Sequence, residues 1–244
     1  NDRLYGVQEL PNGDLIATGY MCKPTANNGA YLLRTNAQGE KLWSKSYDGF
    51  NSSGDVGATA MPTADGGFAM CGSTGSFGAQ GGDMWMVKTD SSGTVEWTRT
   101  AGDQLADGGT DVVSAEDDGL LWVGNTDFCV LTVRTDLEGD TLWTRTYRDS
   151  AVFNSLYAFA AVRVPSGGYL LAGPALPDDA FLLRLDDNGE VLWARTVTAP
   201  DIQGIEAVSC LPSGDFMLIG YSFVYATGSR DALLIRVDAN GYSA

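Results

Sequence analysis

Two linked motifs recur five times along the chain, and this repetition constrains the fold more than any other feature of the sequence. The first motif is a short apolar run that ends in glycine, as in residues 68–72. The second is a basic residue, then Asp or Asn two positions on, then Gly three positions later, as in residues 88–93. The basic residues, 54, 46, 50 and 52 positions apart, are Arg34, Lys88, Arg134, Arg184 and Arg236. The spacing predicts repeats at about residues 1–50, 51–103, 104–150, 151–200 and 201–244.

Each repeat is predicted to form four antiparallel strands, a to d. In the second repeat these are residues 56–61, 67–73, 83–89 and 94–100. Strands b and c are apolar at consecutive positions, which indicates burial on both faces, whereas strand d alternates. Residues 155–164 have a helix-like composition, but the repeat places them on a strand a. Four-stranded units of this kind predict an all-β, five-bladed β-propeller that forms a single domain over residues 1–244. A solenoid of stacked hairpins is the alternative.

The last repeat is incomplete, because it supplies strands a, b and c and then stops at residues 241–244. Its strand c is therefore predicted to have an open edge, which is a template for pairing with another chain. The residues of this edge are Ala232, Leu233, Leu234, Ile235 and Arg236. Either the last blade has three strands, or a partner, a copy of the chain or a missing segment supplies the fourth. The chain starts at Asn1 without an initiator Met, which favours a processed secreted protein or a piece of a larger one.

The charge balance and the lack of histidine exclude several classes of function. The formal net charge is −16 and there is no His. Catalysis by Ser-His-Asp or Cys-His groups and His-ligated metals are thus excluded. The acidic surface argues against nucleic acid and anionic membranes as partners, and no apolar run is long enough for membrane insertion. A single Asp before a turn glycine predicts a turn stabilised by that side chain rather than a calcium loop, so no metal is expected.

The motifs themselves resemble a known kind of repeat. Asp-Gly-Gly before the apolar run (residues 65–72) and Asp-x-x-Gly-x-x-x-Trp-x-Arg (residues 90–99) resemble repeats common in secreted and surface-layer-associated β-propeller proteins of bacteria and archaea. The resemblance spans the chain and implies an extracellular or cell-surface location. The second motif is also distantly similar to quinoprotein-like propeller repeats. This chain departs from them in turn length and has fewer blades, so quinone binding is not carried over and no cofactor is expected.

Candidate site residues fall into a structural set and a binding set. A tryptophan on strand d follows the turn glycine in four repeats, and its periodicity predicts docking between adjacent blades. These tryptophans are Trp43, Trp97, Trp143 and Trp193. The repeated basic residues are predicted to pair with a carboxylate of a neighbouring blade or to lie outside. Recognition is expected in the variable loops at residues 21–29, 74–82 and 221–230. The predicted ligand or partner residues are Tyr221, Phe223, Tyr225, Arg230, Phe77, Gln80 and Asp179.

The leading functional hypothesis is a non-enzymatic, extracellular β-propeller that binds protein or assembles with copies of itself into a surface or filament scaffold. A carbohydrate-binding, lectin-like propeller that uses the variable loops is the first alternative. A glycoside hydrolase is the second, and it would need two acids facing one cleft. The candidate pairs are Asp117 with Asp118 and Asp178 with Asp179, and no catalytic residue is assigned.

Overall fold

In the computed structural model, the structure describes residues 2–22, 28–49, 54–78, 81–103, 106–148, 155–176, 179–197, 202–224 and 229–243. The chain divides into two compact units. The first comprises residues 1–127 and 133–142, and the second comprises residues 128–132 and 143–244. The division therefore passes through the third repeat.

The described residues form five antiparallel sheets, one for each repeat. Blade one contains β1 (Arg3–Glu9), β2 (Leu15–Met21), β3 (Gly29–Thr35) and β4 (Lys41–Tyr47). Blade two contains β5 (Asp55–Pro62), β6 (Phe68–Thr74), β7 (Asp83–Thr89) and β8 (Val95–Ala101). Blade three contains β9 (Gly108–Ser114), β10 (Leu120–Thr126), β11 (Cys129–Thr135) and β12 (Thr141–Tyr147), with a 3₁₀ turn at Glu116–Asp118. Blade four contains β13 (Ser155–Leu156), β14 (Ala160–Arg163), β15 (Tyr169–Leu176), β16 (Asp179–Leu185) and β17 (Val191–Val197). Blade five contains β18 (Ile202–Cys210), β19 (Phe216–Val224) and β20 (Ser229–Val237).

The predicted fold class is confirmed: the chain is an all-β, five-bladed β-propeller. Neighbouring strands follow one another along the sequence in blades one, two, three and five, and in blade four β13 and β14 both pair with β15. The last blade has three strands in the described part of the chain, as the strand count predicts. Residues 155–164 are extended, in two short strands that both pair with β15. No helix in the described ranges is long and apolar enough to cross a bilayer.

The glycine that ends each apolar run is required by an irregularity in strand a. In blade two the register between β5 and β6 shifts between Gly57 and Thr59, so strand a carries one extra residue. The carbonyl oxygen of Val56 then lies over Gly72, where a Cβ would come within 1.9 Å of it. The same clash, at 1.9–2.2 Å, would occur with the strand a carbonyl at the equivalent glycine of the other blades: Gly19, Gly124, Gly173 and Gly220. Only glycine fits at this position.

The Asp-x-x-Gly turns are held by the Asp side chain. Asp90 Oδ1 accepts hydrogen bonds from the backbone N–H groups of Ser92 and Thr94, both at 2.8 Å. Asp186 makes the same pair of bonds in blade four, at 2.9 and 2.8 Å. These bonds hold the pKa of Asp90 below its usual value, chiefly through the Ser92 hydroxyl and the Thr94 N–H. The carboxylates of these turns are therefore used for local structure.

The repeated basic residues bind the a–b turn of their own blade, so the prediction that they pair with a neighbouring blade's carboxylate is wrong. The alternative, a position on the outside, holds for Arg236, whose side chain is 57% exposed. Lys88 is fully buried, and its Nζ lies 2.7 Å from both Asp65 Oδ2 and Glu96 Oε2. Arg34 pairs with Asp14 in the same way, at 2.8 Å. Strand c lies antiparallel beside strand b, so the end of strand c, where the basic residue is the penultimate residue, lies next to the turn that precedes strand b. The basic residue therefore stabilises each blade internally.

Each unit has its own apolar core. In the first unit a cluster joins blades one and two, and it includes Ile16, Leu32, Phe68, Met70 and Val87. In the second unit a cluster joins blades four and five, with Leu170, Leu182, Ile205, Phe216 and Leu218. Strands b and c supply most of these side chains, which agrees with their consecutive apolar residues.

Candidate interaction site

Consecutive blades are joined by a recurring contact, here called the blade clasp, in which the strand d tryptophan of one blade packs under the c–d turn glycine of the next. Trp97 lies beneath the c–d turn of blade three, so a Cβ on Gly139 would come within 2.8 Å of its ring. Its Nε1 donates a hydrogen bond to the Leu137 carbonyl oxygen at 2.9 Å. The other three tryptophan rings lie in the same way under the next turn glycine, since a Cβ on that glycine would come within 2.8–2.9 Å of the ring: Trp43 under Gly93, Trp143 under Gly189 and Trp193 under Gly241. The structure thus places the four predicted tryptophans at blade junctions.

Neighbouring side chains on strand d reinforce this clasp. The guanidinium of Arg145 lies 5.8 Å from the Trp143 ring centroid, and its Nε donates to the Asn188 carbonyl at 3.0 Å. The Tyr147 hydroxyl donates to the Gly189 carbonyl oxygen at 2.8 Å. Burial raises the pKa of Tyr147 to about 12, so this phenol stays a donor at neutral pH. The junction is therefore fixed by apolar contact and by hydrogen bonds together.

In the ranges that the structure describes, blade five has no strand d on its outer edge. β20 pairs with β19 along its whole length. On its other side the described residues contribute one isolated bridge, between Val237 and Ser243. Leu234 is 66% exposed, whereas its equivalents Leu32 and Leu182 are fully buried. The exposure of Leu234 marks an uncovered sheet face, and the strand edge beside it is a site for pairing with another strand.

Charged groups flank this edge. Arg236 Nε donates to Asp215 Oδ2 at 2.9 Å, on the a–b turn of the same blade. Arg230 at the other end of β20 is exposed, and its guanidinium lies 5.0 Å from the Tyr221 ring centroid. Ile219, on the adjacent strand, is 51% exposed. Ile219 was missed by sequence reasoning, because its repeat equivalents Val123 and Ala172 are also apolar and are fully buried, so the sequence carries no signal of its exposure.

The other predicted binding residues are not gathered into one site in the described part of the chain. Phe77 is 38% exposed and stacks on Trp85 in blade two, with centroids 5.5 Å apart. Phe223 lies on β19 and Asp179 begins β16, but their side chains lie outside the described atoms. Tyr225 and Gln80 lie outside the described residues.

The candidate acid pairs do not form a described carboxylate cleft. Asp117 and Asp118 are exposed on the 3₁₀ turn, with φ of 56° and 59°. Asp178 lies outside the described residues. The described carboxyls with a displaced pKa are all lowered: Asp14, Asp65, Asp90, Asp187 and Asp238. A general acid of a glycosidase needs the opposite shift.

Comparisons with known proteins define the class of fold. No protein-family model and no curated protein matches the chain. It is similar to a protein of unknown function from Bacteroides caccae, with a TM-score of 0.65, 13% identity, and coverage of 99% of this chain and 80% of that one. It is also similar to a mutant sialidase from Streptococcus pneumoniae (TM-score 0.64, 7% identity, 100% of this chain, 62% of that one). A protein from Bifidobacterium bifidum named as an exo-β-1,3-galactanase follows (TM-score 0.56, 14% identity, 98% and 89%). At these identities the similarity shows the β-propeller fold alone.

The prediction that the chain is not an enzyme is wrong. Structures of the same fold include a sialidase and a protein named as a galactanase, so this fold does not argue against catalysis. The lack of histidine removed only histidine-dependent chemistry. Glycoside hydrolysis needs a pair of carboxylic acids instead, and an acidic chain has many.

Proposed function

We propose that this β-propeller acts as a protein-binding scaffold that accepts a β-strand along the outer edge of β20. The observation that carries the proposal is that β20 pairs with β19 along its whole length, while in the described part of the chain its other edge makes one isolated bridge, between Val237 and Ser243. Main-chain hydrogen bonds of an added strand would supply affinity, and alternate side chains would supply specificity.

The chain's own strands d indicate the chemistry of the added strand. In the complete blades, the basic residue of strand c lies opposite the strand d tryptophan, as in Arg34 with Trp43 and Lys88 with Trp97. Arg236 is the corresponding residue of β20 and would lie opposite the aromatic residue of the partner. Leu234, two residues away on the same face, would contact that ring. A partner strand with the alternation of β12, Thr-Leu-Trp-Thr-Arg-Thr-Tyr, fits this edge, and a copy of the chain or another protein could present it.

Strand addition is tested with a labelled peptide of the β12 sequence, residues 141–147, titrated against the chain by fluorescence anisotropy. Two further peptides carry N-methyl groups on alternate residues, one on the odd and one on the even positions. Paired strands use the N–H groups of alternate residues, so one methylated peptide should lose binding and the other should keep it. Equal binding by both, or by a scrambled peptide, would count against the proposal.

A matched pair of protein variants separates the edge from general surface effects. Leu234→Asp on β20 should weaken binding of the peptide. Leu192→Asp on β17 should leave binding unchanged, because Leu192 is similarly exposed, at 58%, but lies on a complete blade.

Glycoside binding or cleavage is the second candidate function, favoured by the names of the similar structures. The partly exposed Phe77 ring stacked on Trp85 is a surface on which a sugar ring could pack. Hydrolysis assays on sialosides and β-1,3-galactan, and glycan binding by the parent and by Phe77→Ala, test this candidate. No turnover together with no Phe77-dependent binding would dismiss it.

A further inference from the structure

Blade one breaks the pattern of the blade clasp. Its turn glycine, Gly39, has a φ of +83°, close to the +77° to +87° of the four clasped glycines. Those four are buried against a tryptophan ring, whereas Gly39 is exposed and a Cβ built on it would meet no atom within 4 Å. The turn at Gly39 therefore has the backbone geometry of the clasped turns, but among the described residues no tryptophan ring packs against it.

An apolar cavity of about 320 Å³ adjoins this turn. It is lined by Leu4, Val7, Leu15, Leu33 and Gly39, among others. These five residues define the receiving face of blade one. All of them lie in the first compact unit.

Blade two shows what normally covers this face. Val7 pairs with Ala17 in blade one, and Ala60 pairs with Met70 in blade two, so Val7 and Ala60 occupy equivalent positions. Ala60 is 6% exposed because blade one packs over it, whereas Val7 is 69% exposed. The uncovered surface of blade one is thus the same surface that, in blade two, receives the preceding blade.

We propose that the receiving face of blade one binds a further blade of this same repeat, which seats the tryptophan of its outermost strand under Gly39. The clasp geometry repeated at four junctions specifies that occupant: a flat apolar strand face, an indole at the turn glycine, and Arg or Lys two residues after the indole. A second copy of the chain does not supply it, because its four strand d tryptophans already lie under their own turn glycines. This inference does not depend on strand addition at β20.

Cysteine labelling of the chain tests whether the face is open. Val7→Cys should react with a maleimide at the rate of an exposed thiol, and the matched variant Ala60→Cys should react far more slowly. Mass spectrometry of the peptide that contains each introduced cysteine distinguishes it from the native thiols. Slow labelling of the Val7→Cys variant at low protein concentration would overturn the proposal. Labelling that slows as the protein concentration rises would assign the face to a second copy of the chain instead.

Fusing an additional blade to the N-terminal side of Asn1 tests whether a blade of this repeat covers the receiving face of blade one. A second copy of residues 51–105 is fused there, because this length places Asp2 where Asp107 stands in the natural succession of blades. Labelling of Val7→Cys should slow by about tenfold or more, since each 1.4 kcal/mol of docking free energy corresponds to a factor of ten. The same fusion, with alanine in place of the tryptophan that corresponds to Trp97 in the added copy, should regain much of the labelling rate of the unfused Val7→Cys chain.

A fusion of residues 149–199 repeats the test with blade four, so that one misfolded fusion does not decide the result. Circular dichroism must show the added β-structure in either fusion. Unchanged labelling in both fusions, or protection that does not depend on the added tryptophan, would overturn the proposal.

Discussion

Substituting alanine for the turn glycine measures the blade clasp directly, because the chain contains a matched control. Gly139 and Gly39 occupy the same turn position, with φ of +87° and +83°. A Cβ on Gly139 would come within 2.8 Å of the Trp97 ring, whereas a Cβ on Gly39 would meet nothing within 4 Å. The two substitutions therefore share a backbone cost and differ in the clasp.

The expected free-energy losses follow from these two contributions. The left-handed conformation costs an L-residue about 1–2 kcal/mol, so Gly39→Ala should lower the free energy of unfolding by that amount. Forcing a methyl group into a packed contact costs about 1–3 kcal/mol more, so Gly139→Ala should lose roughly 2–5 kcal/mol in total. The difference between the variants is the steric contribution of the clasp.

Urea unfolding followed by circular dichroism supplies both free energies. Gly139→Ala is also measured in a Trp97→Ala background, where the ring is gone and the substitution should cost no more than Gly39→Ala. Equal losses for Gly39→Ala and Gly139→Ala in the parent chain would refute the claim that the tryptophan packs on the turn. An unchanged cost of Gly139→Ala without the ring would refute it independently.

Three further predictions concern charged and thiol groups. Lys88→Met should cost about 1.5–3 kcal/mol of unfolding free energy, because it removes the buried ammonium group that bonds to the partly exposed carboxylates of Asp65 and Glu96. Arg236→Met, on the exposed edge, should cost about 0–1 kcal/mol in the same urea assay. Burial alone would raise the pKa of Asp65, but hydrogen bonds from Lys88, Thr63 and Gly67 outweigh it and lower the pKa below 3.8. The ionised Asp65 carboxylate therefore stabilises the folded chain above its usual pKa, and this stabilisation is lost as the pH falls through the folded pKa. The difference in unfolding free energy between the parent and Asp65→Asn should shrink in acid unfolding curves below about pH 4. Burial raises the pKa of the Cys71 thiol well above its usual value, so Cys71 should resist a thiol reagent until the chain unfolds, while partly exposed Cys22 should react in the native state.

Strand positions were predictable wherever the repeat aligns them. The predicted strand at residues 83–89 coincides with β7, and the strand predicted at 67–73 differs from β6 by one residue. The strand a of blade four was not predictable in detail. The backbone N–H groups of Tyr157 and Phe159 bond to the carbonyls of Pro174 and Ala172, between the two short strands that were expected to be one. Bulges depend on where a neighbouring carbonyl lies, and sequence alternation carries no record of that.

Lateral contacts were harder to predict than strand positions, for a related reason. The repeat period states how far apart equivalent residues are along the chain, but the partner of Lys88 depends on which turn lies beside the end of strand c. The open edge of β20 was predictable because it follows from counting strands. The receiving face of blade one was not inferred, because the sequence of blade one contains every motif of a complete repeat, and only the exposure of Val7 and Gly39 in the structure distinguishes it.

The same distinction explains why the repeat says so much about fold and so little about activity. The recurring glycines, tryptophans, turn carboxylates and basic residues are all engaged in holding strands and blades: Gly72 under a carbonyl, Trp97 under a turn, Asp90 in its own turn, Lys88 between two carboxylates. A residue needed in every blade for these reasons cannot also distinguish one ligand from another. Function on a shared scaffold resides in residues that depart from the repeat. In this chain the described departures are the exposed Leu234 edge, the empty position at Gly39 and the Phe77–Trp85 stack, and experiments on function should begin with them.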